Sequence, residues 1–158
     1  MFNNIKLYSN SSFKDRRGLY WTSWTKKQNK NLNFNHDKFS LSKKNVLRGI
    51  HGDQKTWKLI SCPYGKVFVV ILNNIKKSRS YMKYMQFILS NKNNKSILIP
   101  PGYGLGFFCL SKECIFHYKL SYKGKYNDTK QQFTIKWNDP RHKIKWPKGK
   151  KITSTRDT

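Results

Sequence analysis

The run Val-Phe-Val-Val-Ile-Leu at residues 67–72 is the clearest indication of fold in this sequence. Six consecutive apolar residues predict a strand that is buried on both faces. Further short β-type runs flank it, separated by Gly, Pro, Asn and Ser, and no long segment keeps apolar residues at helical spacing. The flanking candidates are Leu19–Trp24, Asn33–Leu41, Val46–His51, Trp57–Ser61, Tyr84–Leu89, Ser96–Ile99, Gly104–Leu110, Cys114–Leu120 and Phe133–Lys136. Many short strands with frequent turns predict an all-β sandwich or barrel.

The length of 158 residues predicts a single domain over residues 1–158. Its polar tail, from about residue 148, is expected to be frayed. No stretch approaches the roughly 18 apolar residues of a membrane helix, and no signal peptide is visible at the first residues. The three cysteines lack a ligand-like spacing. We therefore expect a cytoplasmic protein with reduced thiols and no contact with a membrane.

The charge is strongly basic, with 33 Lys and Arg against 7 Asp and Glu and a net charge of +26 at pH 7. Basic chains of this kind often bind nucleic acid. Here the lysines are scattered, often beside Asn, and no block of about five or six like charges forms a tail. We expect solvated lysines and no nucleic-acid partner, and we keep a nucleic-acid-binding module as the minor alternative.

Acidic residues and histidines are scarce, so candidates for acid–base chemistry are few. The acids are Asp15, Asp37, Asp53, Asp128, Asp139, Asp157 and Glu113, and the histidines are His36, His51, His117 and His142. A carboxylate-rich metal cage is hard to build from so small a set.

A basic cluster accompanies one of these histidines. Arg48 and His51 close one predicted strand, and Lys58 opens the next, seven residues after His51. Strand ends around a barrel can direct such side chains into one cavity, where positive charge suits an anionic substrate. Much later, Asp139 lies in Trp137-Asn138-Asp139-Pro140. It either belongs to an ordinary turn or holds the imidazole of His51 and fixes its tautomer.

Motifs in a recognisable order extend from about residue 13 to residue 147. They include Asp15-Arg16-Arg17-Gly18, Arg48-Gly49-Ile50-His51, Lys58-Leu59, Gly65-Lys66-Val67-Phe68, Ile99-Pro100-Pro101-Gly102, Tyr118-Lys119, Trp137-Asn138-Asp139-Pro140 and Trp146-Pro147. This ordered set resembles the dTDP-4-dehydrorhamnose 3,5-epimerase family of cupins. The resemblance implies a jelly-roll sandwich that forms a homodimer, with the N-terminal strand contributing to the partner subunit.

The resemblance also implies a reaction. The substrate would be a nucleotide-diphosphate 4-keto sugar, epimerised at carbon 3, carbon 5 or both, in surface-polysaccharide synthesis. No cofactor and no metal are implied, since cupin metal sites often use a His-x-His pair and His51 is followed by Gly52-Asp53. The short link from His51 to Lys58 resembles the corresponding link in relatives that act on other nucleotide sugars, including GDP-linked heptoses.

The roles implied by the resemblance centre on proton transfer beside the ketone. His51 would abstract the proton, with Asp139 as its partner. Lys58 would place positive charge near the developing enolate oxygen. The implied substrate-binding residues are Arg17, Arg48, His36 and Lys119.

A tyrosine on the opposite face would return a proton to the sugar. The family places Tyr-Tyr shortly after a Tyr-Lys-x-Thr motif, whereas this chain has Lys123 and Gly124 at those positions. A short insertion in the loop would let Tyr126 take the role, and we favour it over Tyr122.

Two more departures from the family pattern concern the pocket wall. Leu105 stands where the family usually has a histidine, and Val69 where it usually has an aspartate. The paired loss predicts a repacked pocket, because keeping one residue without the other would bury a lone polar group. The alternative function is a cupin that binds a nucleotide sugar without turning it over, or that acts as a keto-isomerase.

Overall fold

The computed structural model describes residue 2 and residues 4–157, which form strands with almost no helix. In this described part, two short 3-10 helices lie at Lys26–Asn29 and Thr129–Gln131. The strands are β1 (Lys6–Ser9), β2 (Ser12–Asp15), β3 (Gly18–Trp21), β4 (His36–Lys43), β5 (Leu47–Gly52), β6 (Trp57–Tyr64), β7 (Lys66–Asn73), β8 (Tyr84–Ser90), β9 (Lys95–Ile99), β10 (Tyr103–Cys109), β11 (Glu113–Ser121) and β12 (Phe133–Thr134).

Two five-stranded antiparallel sheets pack as a jelly-roll sandwich. The first sheet has the order β1-β9-β6-β11-β4, and the second has the order β12-β5-β10-β7-β8. A separate hairpin, β2-β3, completes the set. The all-β cupin prediction is confirmed. The predicted runs match β3–β12 with small shifts at their ends, whereas the polar strands β1 and β2 were missed because they carry few apolar residues.

The apolar run at residues 67–72 forms most of β7 and contributes to two separate cores. One core lies between the sheets and includes Val67, Val69 and Ile71. The other lies on the outer face of the second sheet and includes Phe68, Val70 and Leu72. Trp137, Ile144 and Trp146 cover this outer face. The strand is therefore buried on both faces, as its unbroken apolar pattern predicts.

The contact between β5 and β10 requires glycine. Gly49 has a φ of +115°, and a Cβ at this position would lie 2.5 Å from the Gly106 Cα. No side chain fits there, so the two backbones approach closely. The register between these strands shifts between Leu105 and Phe107, and Leu105 comes to lie opposite His51.

The polar tail packs against the sandwich, so the expectation that it would be frayed is wrong. Ile152 forms a parallel bridge with Val46, and its carbonyl accepts a hydrogen bond from the Leu47 amide at 2.9 Å. Asp157 is 3% exposed. These backbone contacts hold the tail beside β5, although its composition gives little sign of burial.

Candidate active site

A single cavity of about 330 Å³ collects four of the eight predicted functional side chains. Arg48, His51, Lys58 and Tyr126 line it, as does Leu105 of the second sheet. The lining comes from strands β4, β5, β6, β10 and β11 and from the tail. Strand ends distant in sequence therefore meet at one place, as the spacing of Arg48, His51 and Lys58 predicts.

His51 is held at both ring nitrogens. Its Nε2 donates to Asp157 Oδ1 over 2.7 Å, and its Nδ1 lies 3.1 Å from the Thr134 hydroxyl. Thr134 reaches this position because β12 pairs with β5 directly opposite His51. A carboxylate that accepts from Nε2 fixes the tautomer and leaves the lone pair on Nδ1.

Asp157 is a buried acceptor with several donors. Burial alone would raise the pKa of its carboxyl, but hydrogen bonds from His51, the Gly49 amide and Ser154 together hold that pKa well below its usual range. The carboxylate is thus ionised at neutral pH and is able to stabilise a positive charge on the His51 ring.

The predicted partner of His51, Asp139, is paired elsewhere. Its carboxylate accepts three side-chain hydrogen bonds and a backbone hydrogen bond from Arg141, and it lies in the turn at Pro140. Asp139 lines a different, open depression beside Trp137 and Lys151. The prediction failed because Asp139 accepts its hydrogen bonds within the Asn-Asp-Pro turn. The actual partner, Asp157, lies in a tail that was expected to be frayed.

Lys58 reaches the cavity from β6 and is almost fully buried. Its side chain is 8% exposed, and its Nζ lies 3.5 Å from Asp53 Oδ2. Burial lowers the pKa of the Lys58 ammonium, and the Asp53 carboxylate opposes that shift. The arrangement places one cation deep in the same cavity as His51.

Three further cations surround the cavity. Arg48 donates from Nε to the Ser42 hydroxyl at 3.1 Å, and Arg156 donates to Gln132 Oε1 at 2.9 Å. Lys38 of β4 also lines the cavity. Sequence reasoning missed Lys38 and Arg156, since one is a single lysine among many and the other lies in the polar tail.

Of the two candidate tyrosines, Tyr126 lines the cavity. Its hydroxyl lies 3.5 Å from the Lys38 Nζ and 3.3 Å from the Gln132 amide nitrogen. The Tyr122 hydroxyl instead contacts Nδ1 of His36 at 3.2 Å. Tyr118 is a further cavity tyrosine, and burial raises the pKa of its hydroxyl.

Three predicted substrate-binding residues lie outside this cavity. The His36 ring packs behind Tyr126, with ring centroids 4.9 Å apart. Lys119 points away, because its neighbours along β11 face the cavity, and it pairs with Asp37 at 2.9 Å. Arg17 lies in the β2-β3 hairpin with its side chain 79% exposed. Within the described chain, the structure therefore does not bring these three to the cavity.

The apolar replacements in the pocket wall pack together. Val69 and Leu105 belong to the core between the sheets, and Leu105 also lines the cavity. Both positions are thus filled by buried apolar side chains.

No group of three or more His, Cys, Asp or Glu side chains that could hold a metal ion occurs in residue 2 or residues 4–157. The same residues contain no helix of sufficient length and apolar character to cross a membrane.

A jelly-roll sandwich with a buried His–Asp pair, a lysine and a tyrosine in one cavity defines a cupin of the sugar-epimerase class. Residues 2–158 match the family model described as dTDP-4-dehydrorhamnose 3,5-epimerase. The chain belongs to this family. The predicted enzyme class, an isomerase that acts on carbohydrates, is confirmed.

Two relatives are similar in sequence over most of their own length and most of this chain. The dTDP-4-dehydrorhamnose 3,5-epimerase of Salmonella typhimurium strain LT2 is 34% identical over 85% of this chain and 76% of its own length. The enzyme of the same name from Shigella flexneri is 30% identical over 98% of this chain and 88% of its own length.

Solved structures agree in fold. The dTDP-6-deoxy-D-glucose-3,5-epimerase of Legionella pneumophila, in complex with dTDP-4-keto-L-rhamnose, superimposes with a TM-score of 0.90 at 32% identity, over 97% of this chain and 84% of that one. The dTDP-4-dehydrorhamnose 3,5-epimerase of Bacillus anthracis, with TDP and PPi bound, gives a TM-score of 0.91 at 29% identity, over 99% of this chain and 92% of that one.

Proposed function

We propose that this protein epimerises a nucleotide-diphosphate 4-keto sugar at carbon 3, carbon 5 or both. The observation that carries the proposal is the His51–Asp157 pair in one cavity with Lys58 and Tyr126. A proton on a carbon beside a ketone is acidic enough for an imidazole base when the enolate is stabilised. The same bond can then be remade from the opposite face, which inverts the centre.

His51 removes the proton in this mechanism. Its Nε2 is held by Asp157, so the Nδ1 lone pair accepts the proton and the ring becomes an imidazolium. The buried Asp157 carboxylate stabilises that positive charge. A positioned general base of this kind contributes about 10²–10⁴-fold to the rate.

Lys58 stabilises the enolate. Negative charge moves to the ketone oxygen as the proton leaves, and a fixed cation in a water-poor cavity interacts with it strongly. With 8% of its side chain exposed, Lys58 meets that requirement.

Tyr126 returns a proton from the other face. Its hydroxyl lies beside Lys38, whose positive charge favours release of the phenolic proton. After that transfer, the His51 imidazolium gives its proton to solvent and the Tyr126 phenolate takes a proton from solvent, and the enzyme regains its starting state.

The cations around the cavity suit the diphosphate. Lys38, Arg48 and Arg156 line the same cavity and present positive charge to it, and guanidinium groups pair well with phosphate oxygens. The Legionella and Bacillus relatives were captured with a dTDP-sugar and with TDP, respectively. These complexes support a nucleotide ligand here.

The protein is proposed to act as a homodimer of single-domain chains, in the cytoplasm, in surface-polysaccharide synthesis. The β2-β3 hairpin exposes Phe13, Leu19 and Tyr20, of which Tyr20 is 65% exposed. An apolar hairpin of this kind is typical of a surface that a partner covers. Arg17 lies at the tip of this hairpin and would reach substrate in the partner subunit.

The direct test is exchange of solvent deuterium into the sugar. Purified protein is incubated in D₂O with a small panel of dTDP- and GDP-linked 4-keto sugars, and carbons 3 and 5 are followed by NMR. We expect deuterium at one or both carbons for at least one substrate. Lack of exchange on every member, under conditions where a family relative reacts, would refute the proposal.

A second candidate is a cupin that binds a nucleotide sugar without epimerising it, or that isomerises the keto group. The apolar wall at Val69 and Leu105 favours it. Saturable binding of a nucleotide sugar without exchange would support the non-catalytic form, and migration of the ketone would support the isomerase.

A further inference from the structure

The acidic side chain beside Lys58 has no part in the mechanism above. Asp53 follows the end of β5, two residues after His51, and its side chain is 1% exposed. Its Oδ1 accepts hydrogen bonds from the Lys55 and Thr56 amides, at 2.9 and 2.7 Å. These bonds fix the carboxylate and leave Oδ2 directed at Lys58.

Asp53 is the carboxylate that Lys58 meets. Within the described chain, it is the one acidic side chain at ion-pair distance from Lys58 Nζ. The strands on either side of Lys58 offer Ile99 and Leu120 as its cross-strand neighbours, which are apolar. Leu105 is a further apolar residue in the lining of the same cavity.

We infer that Asp53 is a positioning residue, which holds the Lys58 ammonium in place and in its charged form for the enolate that the proposed function requires. This inference rests on the proposed function.

The remaining charges in the cavity make this counter-charge necessary. Lys38, Arg48 and Arg156 are cations that disfavour a further positive charge. His51 shares its proton with Asp157, and that carboxylate is already engaged by His51, Gly49 and Ser154. Tyr118 and Tyr126 contribute hydroxyls and no carboxylate, and burial raises the pKa of Tyr118. Burial lowers the pKa of Lys58, and Asp53 is the group that raises it.

The variant Asp53→Asn separates charge from structure. Asparagine keeps the Oδ1 that accepts the hydrogen bonds from the Lys55 and Thr56 amides, and it replaces Oδ2 with an uncharged amide nitrogen. Asp139→Asn is the matched control, because Asp139 also accepts a backbone amide two residues on and lies outside the cavity.

The pH profile of deuterium exchange distinguishes positioning from a structural role. In Asp53→Asn we expect the alkaline limb to move to lower pH by about 1 unit or more, the usual effect of losing an opposite charge at this range. The acidic limb stays in place, and Asp139→Asn behaves as wild type. An unchanged alkaline limb in folded Asp53→Asn would overturn the inference.

A measurement on the unaltered protein covers the case in which Asp53→Asn does not fold. Side-chain NMR of protein labelled in lysine, with the Lys58 signal assigned by its loss in Lys58→Arg, reports whether the amine is charged at pH 7. We expect an ammonium, and a neutral amine would overturn the inference. Because this readout needs no substrate, failure of the proposed function and failure of the inference are distinguishable.

Discussion

Two His–Asp pairs of almost the same geometry lie in different regions of this molecule. In the cavity, His51 Nε2 lies 2.7 Å from Asp157, and its Nδ1 contacts the Thr134 hydroxyl. On the outer face of the first sheet, His117 Nε2 lies 2.7 Å from Asp37, and its Nδ1 contacts the Ser61 hydroxyl at 3.3 Å.

The two pairs have almost the same internal geometry, but their surroundings differ. The Asp157 side chain is 5% exposed, whereas that of Asp37 is 45% exposed and also binds Lys119. Phe39 stacks on the His117 ring at 4.5 Å, so no substrate can approach that face. A hydrogen bond between an imidazole and a carboxylate is therefore not enough to identify a catalytic base. His51 is distinguished by its place in a cavity that also contains cations and a tyrosine.

The largest expected effect is on the cavity histidine. His51→Asn should lower deuterium exchange by at least about 10²–10⁴-fold, because the amide cannot take up the substrate proton. His117→Asn, the matched change in the other pair, should keep wild-type exchange. NMR of the sugar after incubation in D₂O measures both. Equal losses in the two variants would mean that the comparison does not identify the base.

The second-largest expected effect is on the cavity tyrosine, Tyr126. Tyr126→Phe should retain exchange on the face of His51 and lose inversion, since no proton is delivered from the other side. Tyr122→Phe serves as the control, because its hydroxyl faces His36. Product stereochemistry by NMR decides the matter, and wild-type inversion in Tyr126→Phe would show that another group is the acid.

The smallest effect is on stability and its pH dependence. The pKa of Asp157 is lowered in the folded protein, so its contribution is complete above the ordinary aspartate value of about 3.9 and is lost as the pH falls below it. Asp157→Asn should lower the free energy of unfolding by about 2 kcal/mol at pH 7. Urea denaturation should show that this difference shrinks below pH ~4.

The exposed aspartate provides the contrast for that measurement. The pKa of Asp37 is lowered as well, with burial opposing bonds from Lys119 and His117. Because Asp37 is largely solvated, Asp37→Asn should cost well under about 1 kcal/mol. A loss as large as that of Asp157→Asn would contradict the role given to burial.

The fold was predictable because its signal is local. The apolar run at residues 67–72 has no polar face, and the structure uses its two faces in two cores. Arg48, His51 and Lys58 were also predictable, because they lie at adjoining strand ends within one short segment.

The rest of the site could not be predicted, because it depends on contacts between residues that are far apart in the sequence. Asp157 meets His51 across 106 positions, through a tail held by backbone bonds that leave no apolar pattern. Lys119 was assigned to the substrate, but its place on the outer face of β11 follows from strand parity, with Tyr118 and Leu120 facing the cavity. The prediction that Asp139 holds His51 was wrong, because the Asp139 carboxylate accepts its hydrogen bonds from within its own turn.

The central claim is that His51, held by Asp157, is the base that acts in the cavity. Its most direct test is the initial rate of deuterium exchange in Asp157→Asn, with Asp37→Asn and Asp139→Asn measured beside it. We expect a loss of about 10²-fold or more in Asp157→Asn and wild-type rates in the other two. Wild-type exchange in Asp157→Asn, or a comparable loss in Asp139→Asn, would contradict it.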